Sequence, residues 1–190
     1  QTPLEIAAGD EPVIGFWGAP PREELERAVE RHGGAPLFDL DVFHDAPRRH
    51  TLPDAYCHII RNCVDNALLL GERLVCLVAA TGQEKCDAGR YAAGLVAELT
   101  GVPVVFTTNE RPGPAEPALL SEARGPLIDR VLRFMDSSLE PLTERERADA
   151  QSARCTPTHG FWGTPPHPVE LLELFPPTTH VFGWTRCVEQ

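Results

Sequence analysis

The residues of this 190-residue chain best suited to chemistry are its six cysteines: Cys57, Cys63, Cys76, Cys86, Cys155 and Cys187. A thiolate is both a nucleophile and a soft metal ligand. None of the six forms a C-x-x-C pair, and a single cysteine is by default a small buried hydrophobe. Position separates them. Cys63 falls on the apolar stripe of a helical pattern over residues 56–70, and Cys76 lies inside the continuous apolar run of residues 74–80. Both are expected in the core. Cys57 stands near the start of a helix, Cys86 opens the next one, and Cys187 follows the last strand pattern. A helix N-terminus favours the thiolate form. Three thiolates converging from distant segments suit an iron–sulfur cluster with one iron open, and Cys155 is a candidate fourth ligand. They also suit zinc, with Cys155, Cys187 and His159 as the alternative ligand set. A third reading keeps every thiol in the core of a non-catalytic α/β module that binds a ligand or partner.

Proton-transfer groups lie beside these cysteines. His58 adjoins Cys57, while Lys85 and Asp87 flank Cys86, so His58, Lys85 and Asp87 are the candidate catalytic residues. A second feature is an internal echo. The heptapeptide from Gly15 to Pro21, GFWGAPP, returns from Gly160 to Pro166 as GFWGTPP. Each copy reads as a strand-to-helix corner, with glycine turning the chain and proline starting the helix. In open α/β sheets ligands bind beyond the carboxyl ends of strands. Gly18 and Gly163 are therefore candidate cofactor-binding positions, where backbone N–H groups can receive an anion. There is no GxGxxG and no GxxxxGK[ST] motif, so nucleotide binding by such a loop has no support.

The elements that must position these groups follow from the pattern. Apolar runs near residues 13–17, 35–40, 74–80 and 102–106 read as buried strands, alternating with helical periodicity over 22–32, 56–70 and 87–99. Residues 119–139 carry helical spacing broken at Gly125-Pro126. The last part returns to strand, helix and strand over 159–162, 167–175 and 179–184. The expected fold is a three-layer α/β sandwich on a mostly parallel sheet, of flavodoxin- or Rossmann-like topology. Residues 1–140 are expected to form its main domain and 141–156 a charged linker or helix. Residues 157–190 would form a β-α-β unit packed on the same sheet.

Composition narrows the partners. Seventeen basic residues against 28 acidic ones leave a net charge of −11, which argues against a nucleic-acid backbone or an anionic membrane. No apolar run reaches the length of a membrane span. A chain with 42% hydrophobic residues does not depend on disulfide staples, so a reducing, cytoplasmic setting is expected.

Further residues extend the argument. Gly15-Phe16 followed by Pro20-Pro21 and Glu24-Leu25, then Leu52-Pro53 ahead of Tyr56-Cys57, then Cys86-Asp87 and a Pro103-Val104 strand, form an ordered set. Over about residues 13 to 110 this order resembles the 2-hydroxyacyl-CoA dehydratase and benzoyl-CoA reductase subunits and their double-cubane relatives. The resemblance implies a [4Fe-4S] cluster held by Cys57, by Cys86 and, as the best third candidate, by Cys187. It also implies low-potential electron transfer, or reductive or radical chemistry on a small-molecule substrate at an open iron, as in an anaerobic lyase or oxidoreductase. An ATP-hydrolysing activator or other redox partner would supply the electron, and homo- or hetero-oligomers are expected. Family members are about twice this length, with a complete second α/β domain, so acyl-CoA contacts do not carry over.

Overall fold

The computed structural model describes residues 3–41, 51–81, 87–108, 116–136, 140–166 and 168–182. The chain divides into two compact units, residues 1–110 and 111–190.

The first unit is a four-stranded parallel sheet flanked by helices. Its strands are β1 (Val13–Trp17), β2 (Leu37–Asp39), β3 (Leu74–Ala80) and β4 (Val104–Thr107), in the order β2-β1-β3-β4. Phe16 lies opposite Asp39 on one side and Val78 on the other, and Ala79 lies opposite Phe106. All five residues of β1 are buried, as expected of a central strand covered on both faces.

Among the described residues of this unit, four α-helices accompany the strands, three of them ahead of β3: α1 (Pro3–Ala8), α2 (Arg22–Arg31) and α3 (His58–Leu70). A fourth, α4 (Asp87–Thr100), follows β3. The two-residue alternation of the strands sorts the layers. Ile14, Phe16, Cys76 and Val78 cluster with Leu25 and Ala28 of α2. Val13, Trp17, Leu77 and Ala79 cluster with Cys63, Val64 and Ala67 of α3 and with Ala92, Ala93 and Val96 of α4. Helices therefore cover both faces, and the expected three-layer α/β sandwich is present. Gly15 is small for a reason: a Cβ there would lie 2.8 Å from Leu74 Cδ1 and 3.0 Å from Leu40 Cδ1. Helix α2 begins after Pro20-Pro21, carries Glu23 and Glu24 in its first turn, and is followed by Gly33 and Gly34 at φ 66° and 83°.

The second unit holds α5 (Glu116–Glu122), α6 (Leu127–Asp136), α7 (Glu144–Ser152), β5 (His159–Trp162) and β6 (Thr179–Phe182). Leu120, Leu127, Val131, Phe134, Leu142, Leu172 and Val181 form its own core. Strands β5 and β6 pair in parallel, His159 opposite Thr179 and Trp162 opposite Phe182, as a two-stranded sheet. Among the described residues the C-terminal strands thus form a sheet of their own and do not extend the main one. Helices α5 and α6 group with them, which moves the division from the expected residue 140 to 110.

One other expectation changes in detail. The helix expected over 167–175 is a 3-10 helix, Val169–Leu174. Pro168 precedes it, and Pro176 holds Phe175 in extended backbone at ψ 141°, so there is no room for regular α-helical turns. The charged stretch 141–156 contains α7, which opens with a capping box between Thr143 and Glu146. Leu142 and Ala150 bury its apolar side.

Candidate functional site

The carboxyl ends of β1, β2 and β3 meet where the strand order changes direction, the position at which doubly wound sheets bind ligands. Asp41, just past β2, is the centre of this edge. Its Oδ2 accepts the Gly18 N–H at 2.9 Å, and its Oδ1 accepts the Cys63 thiol at 3.0 Å. Its own N–H donates to Asp39 Oδ1 at 3.0 Å. Two amides of α3 hold the same chain segment: Asn62 Nδ2 donates to the Leu40 and Asp41 carbonyls at 3.3 Å each, and Asn66 Nδ2 to the Leu40 carbonyl at 2.9 Å. One carboxylate and two carboxamides thereby tie β2 to the β1 corner and to α3. Trp17 Nε1, buried at the end of β1, has no acceptor among the described residues.

The first thiol of the expected set sits beside this edge. Leu52 is buried in the core, Tyr56 packs against it, and the Tyr56 N–H donates to the Pro53 carbonyl at 3.0 Å. Asp54 and Arg61 form an ion pair across the same turn. This folded segment delivers Cys57, exposed, to the N-cap position of α3, with no side-chain capping bond. A cysteine occupies a position where an oxygen-bearing side chain is the usual choice. His58, the first residue of α3, and Asp87, the first of α4, are both exposed. The first turns of these helices touch: a Cβ on Gly89 would lie 3.6 Å from Ile60 Cδ1. Cys86 precedes α4 directly in sequence; Cys86 and Lys85 fall outside the described residues, as does Cys187.

The two core cysteines are placed as expected. Cys63 and Cys76 are both buried. Burial pushes the Cys76 thiol up, and the nearby Arg31 cation partly offsets that. The thiol bond from Cys63 to Asp41 is an addition that apolar periodicity could not disclose.

Both glycine corners form, but their N–H groups are occupied. Gly18, at φ 73°, donates to Asp41, and Gly163, at φ 114°, donates to the Phe182 carbonyl at 2.8 Å. Neither N–H stands open for an anion. The two corners also differ in setting: Trp17 is 3% exposed and Trp162 81%.

In the second unit, Cys155 is half-buried, and its sulfur lies 3.7 Å from His180 Nε2. His159, the expected zinc partner, is exposed, and its Nδ1 lies 3.0 Å from Thr158 Oγ1. His180, not His159, is the imidazole that faces Cys155. Arg130 is buried and donates to the Leu120, Ser121, Gly125 and Thr179 carbonyls. Sequence reasoning passed over it, since one arginine on an amphipathic helix carries no separate signal.

Among the described residues no three His, Cys, Asp or Glu side chains stand together as a metal site, and no helix is long and apolar enough to cross a membrane. Compared with known proteins, the chain matches no family model, no curated protein and no solved structure.

Proposed function

We propose that the first unit is a thiolate-ligated iron–sulfur protein, with Cys57 and Cys86 as cluster ligands at the carboxyl edge of its sheet. The observation that supports this reading is the close approach of the first turns of α3 and α4, where a Cβ on Gly89 would lie 3.6 Å from Ile60 Cδ1. Each helix has a cysteine immediately before its first residue. Two helix N-termini add positive potential where two thiolates are needed.

The donor chemistry fits selectively. Cys57 is exposed and makes no capping bond, so its sulfur is available. Cys63 already donates to Asp41 and Cys76 is enclosed under α2, so neither suits a ligand role. A bound cluster would supply low-potential electron transfer, or an open iron for reductive chemistry on a small substrate. His58 and Asp87 open the two helices, and both are proposed to move protons beside that site. Asp41 acts in support: it holds the β1 corner and α3 in register, which fixes the direction from which α3 presents Cys57. The electron would come from a protein partner, such as an ATP-hydrolysing activator.

The test is anaerobic purification followed by iron and sulfide analysis. Brown protein containing both is expected, with both lost on Cys57→Ser or Cys86→Ser and retained on Cys76→Ser. Colourless, iron-free protein after anaerobic reconstitution would sink the proposal, and stoichiometric zinc removed by changing Cys155 or Cys187 would replace it.

A further inference from the structure

The second unit holds a thiol in surroundings unlike those of Cys57. The Cys155 N–H donates to the Glu122 carbonyl at 3.2 Å, which pins the residue to the end of α5. Its sulfur lies 3.8 Å from the same carbonyl and 3.7 Å from His180 Nε2. His180 is only 6% exposed and is held in β6 opposite Gly160, so the imidazole has little freedom to turn away. Cys155 itself is half-buried.

A buried cation stands behind this pair. Arg130 Nη1 donates to the Leu120 and Ser121 carbonyls at 3.0 and 3.1 Å, in the α5 turn that anchors Cys155. Its Nη2 donates to the Thr179 carbonyl, the residue before His180, at 2.6 Å. Burial lowers the Arg130 pKa, and attraction to the Cys155 sulfur partly restores it. The acidic side chain at the end of α5, Glu122, is ion-paired with Arg154. The Arg130 bonds tie the α5 turn that anchors Cys155 to the strand that carries His180, which holds the sulfur and the imidazole at their observed separation.

We propose that Cys155 is a nucleophilic thiol served by His180 as proton acceptor, and that small soft electrophiles, hydroperoxides among them, modify it covalently. With hydrogen peroxide, His180 Nε2 takes the thiol proton as the sulfur attacks one peroxide oxygen. The S–O bond forms and the O–O bond breaks. The departing oxygen recovers a proton from the imidazolium and leaves as water. Sulfur is oxidised to sulfenic acid and the peroxide is reduced. This proposal is independent of the cluster at Cys57 and Cys86.

The full chain is treated with iodoacetamide at neutral pH and mapped by mass spectrometry, with N-acetylcysteine as the reference thiol. Cys155 is expected to react at least about tenfold faster than the reference, a modest share of what a positioned proton acceptor provides. His180→Gln should bring the rate down to the reference. Peroxide followed by dimedone should label Cys155, and Cys155→Ser should abolish that label. A Cys155 rate no greater than the reference overturns the proposal, as does an unchanged rate in folded His180→Gln. If that variant does not fold, the wild-type rate ratio decides. A sulfur protected until chelator is added overturns it in favour of a metal ligand.

Discussion

Single side chains in this protein do sharply different work with the same chemistry. Cys63 and Cys76 are enclosed, whereas Cys57 is open to solvent at a helix start. Alkylation of folded protein should therefore spare Cys63 and Cys76, and both should react once denaturant is added; labelling of either in the native state would contradict the packing described. Arg130 makes a second case. Its guanidinium satisfies four buried or half-buried carbonyls from α5, the following turn and β6. Arg130→Met keeps much of the bulk but strands those acceptors. The expected loss is about 3 kcal/mol of stability, since each unsatisfied buried acceptor costs about 1–3 kcal/mol. Urea unfolding measures it. Apolar spacing made the two core thiols legible in the sequence, because a core cysteine needs only to sit on the right face. Asp41 and His180 were not legible, because their roles depend on partners 22 to 25 residues away in the chain.

At the scale of elements, local signals were read well where they were self-contained. The Pro20-Pro21 start of α2, the Gly71 stop of α3 at φ 56° and the buried run of β3 all appear where the residues place them. The second corner was misread past its glycine, because prolines on both sides of Val169–Leu174 outweigh its helical spacing. Helix α7 gives the clearest pH dependence. Glu146 accepts hydrogen bonds from the Arg133 guanidinium, the Thr143 N–H and the Thr143 hydroxyl. The Arg133 bond is the largest influence, and together they hold its carboxyl near pKa 2, below the ordinary 4.5. A depressed carboxyl stabilises the fold above its unfolded pKa and loses that contribution as pH falls toward the folded one. Amide protection at the start of α7 should thus be constant above about pH 4.5 and decline between there and about pH 2. Glu146→Gln should remove that dependence. The Glu146 carboxyl shift in NMR reads the midpoint directly.

For the whole molecule, the net charge of −11 means that attraction to any basic surface should weaken as salt screens the charge. The alternation of strands and helices correctly indicated a parallel α/β sheet. It could not show that the final strands build a separate pair, because sequence order carries no statement of which strand edges hydrogen-bond. Each unit has its own core, so Arg130→Met should lower hydrogen-exchange protection in α5, α6 and β6 while leaving β1 and β3 unchanged. Equal loss in both units would mean that they fold as one cooperative body.

The repeated corner has a practical use of another kind. Trp17 is the only tryptophan of residues 1–110, and it is enclosed, whereas Trp162 in the matching corner faces solvent. The same four letters, GFWG, thus carry two indoles in opposite optical environments. Trp17 should emit at short wavelength and resist acrylamide quenching, and Trp162 should emit to the red and be quenched at once. Trp162→Phe together with Trp184→Phe leaves Trp17 as the chain's one tryptophan, and its emission then follows the first unit's unfolding without any label.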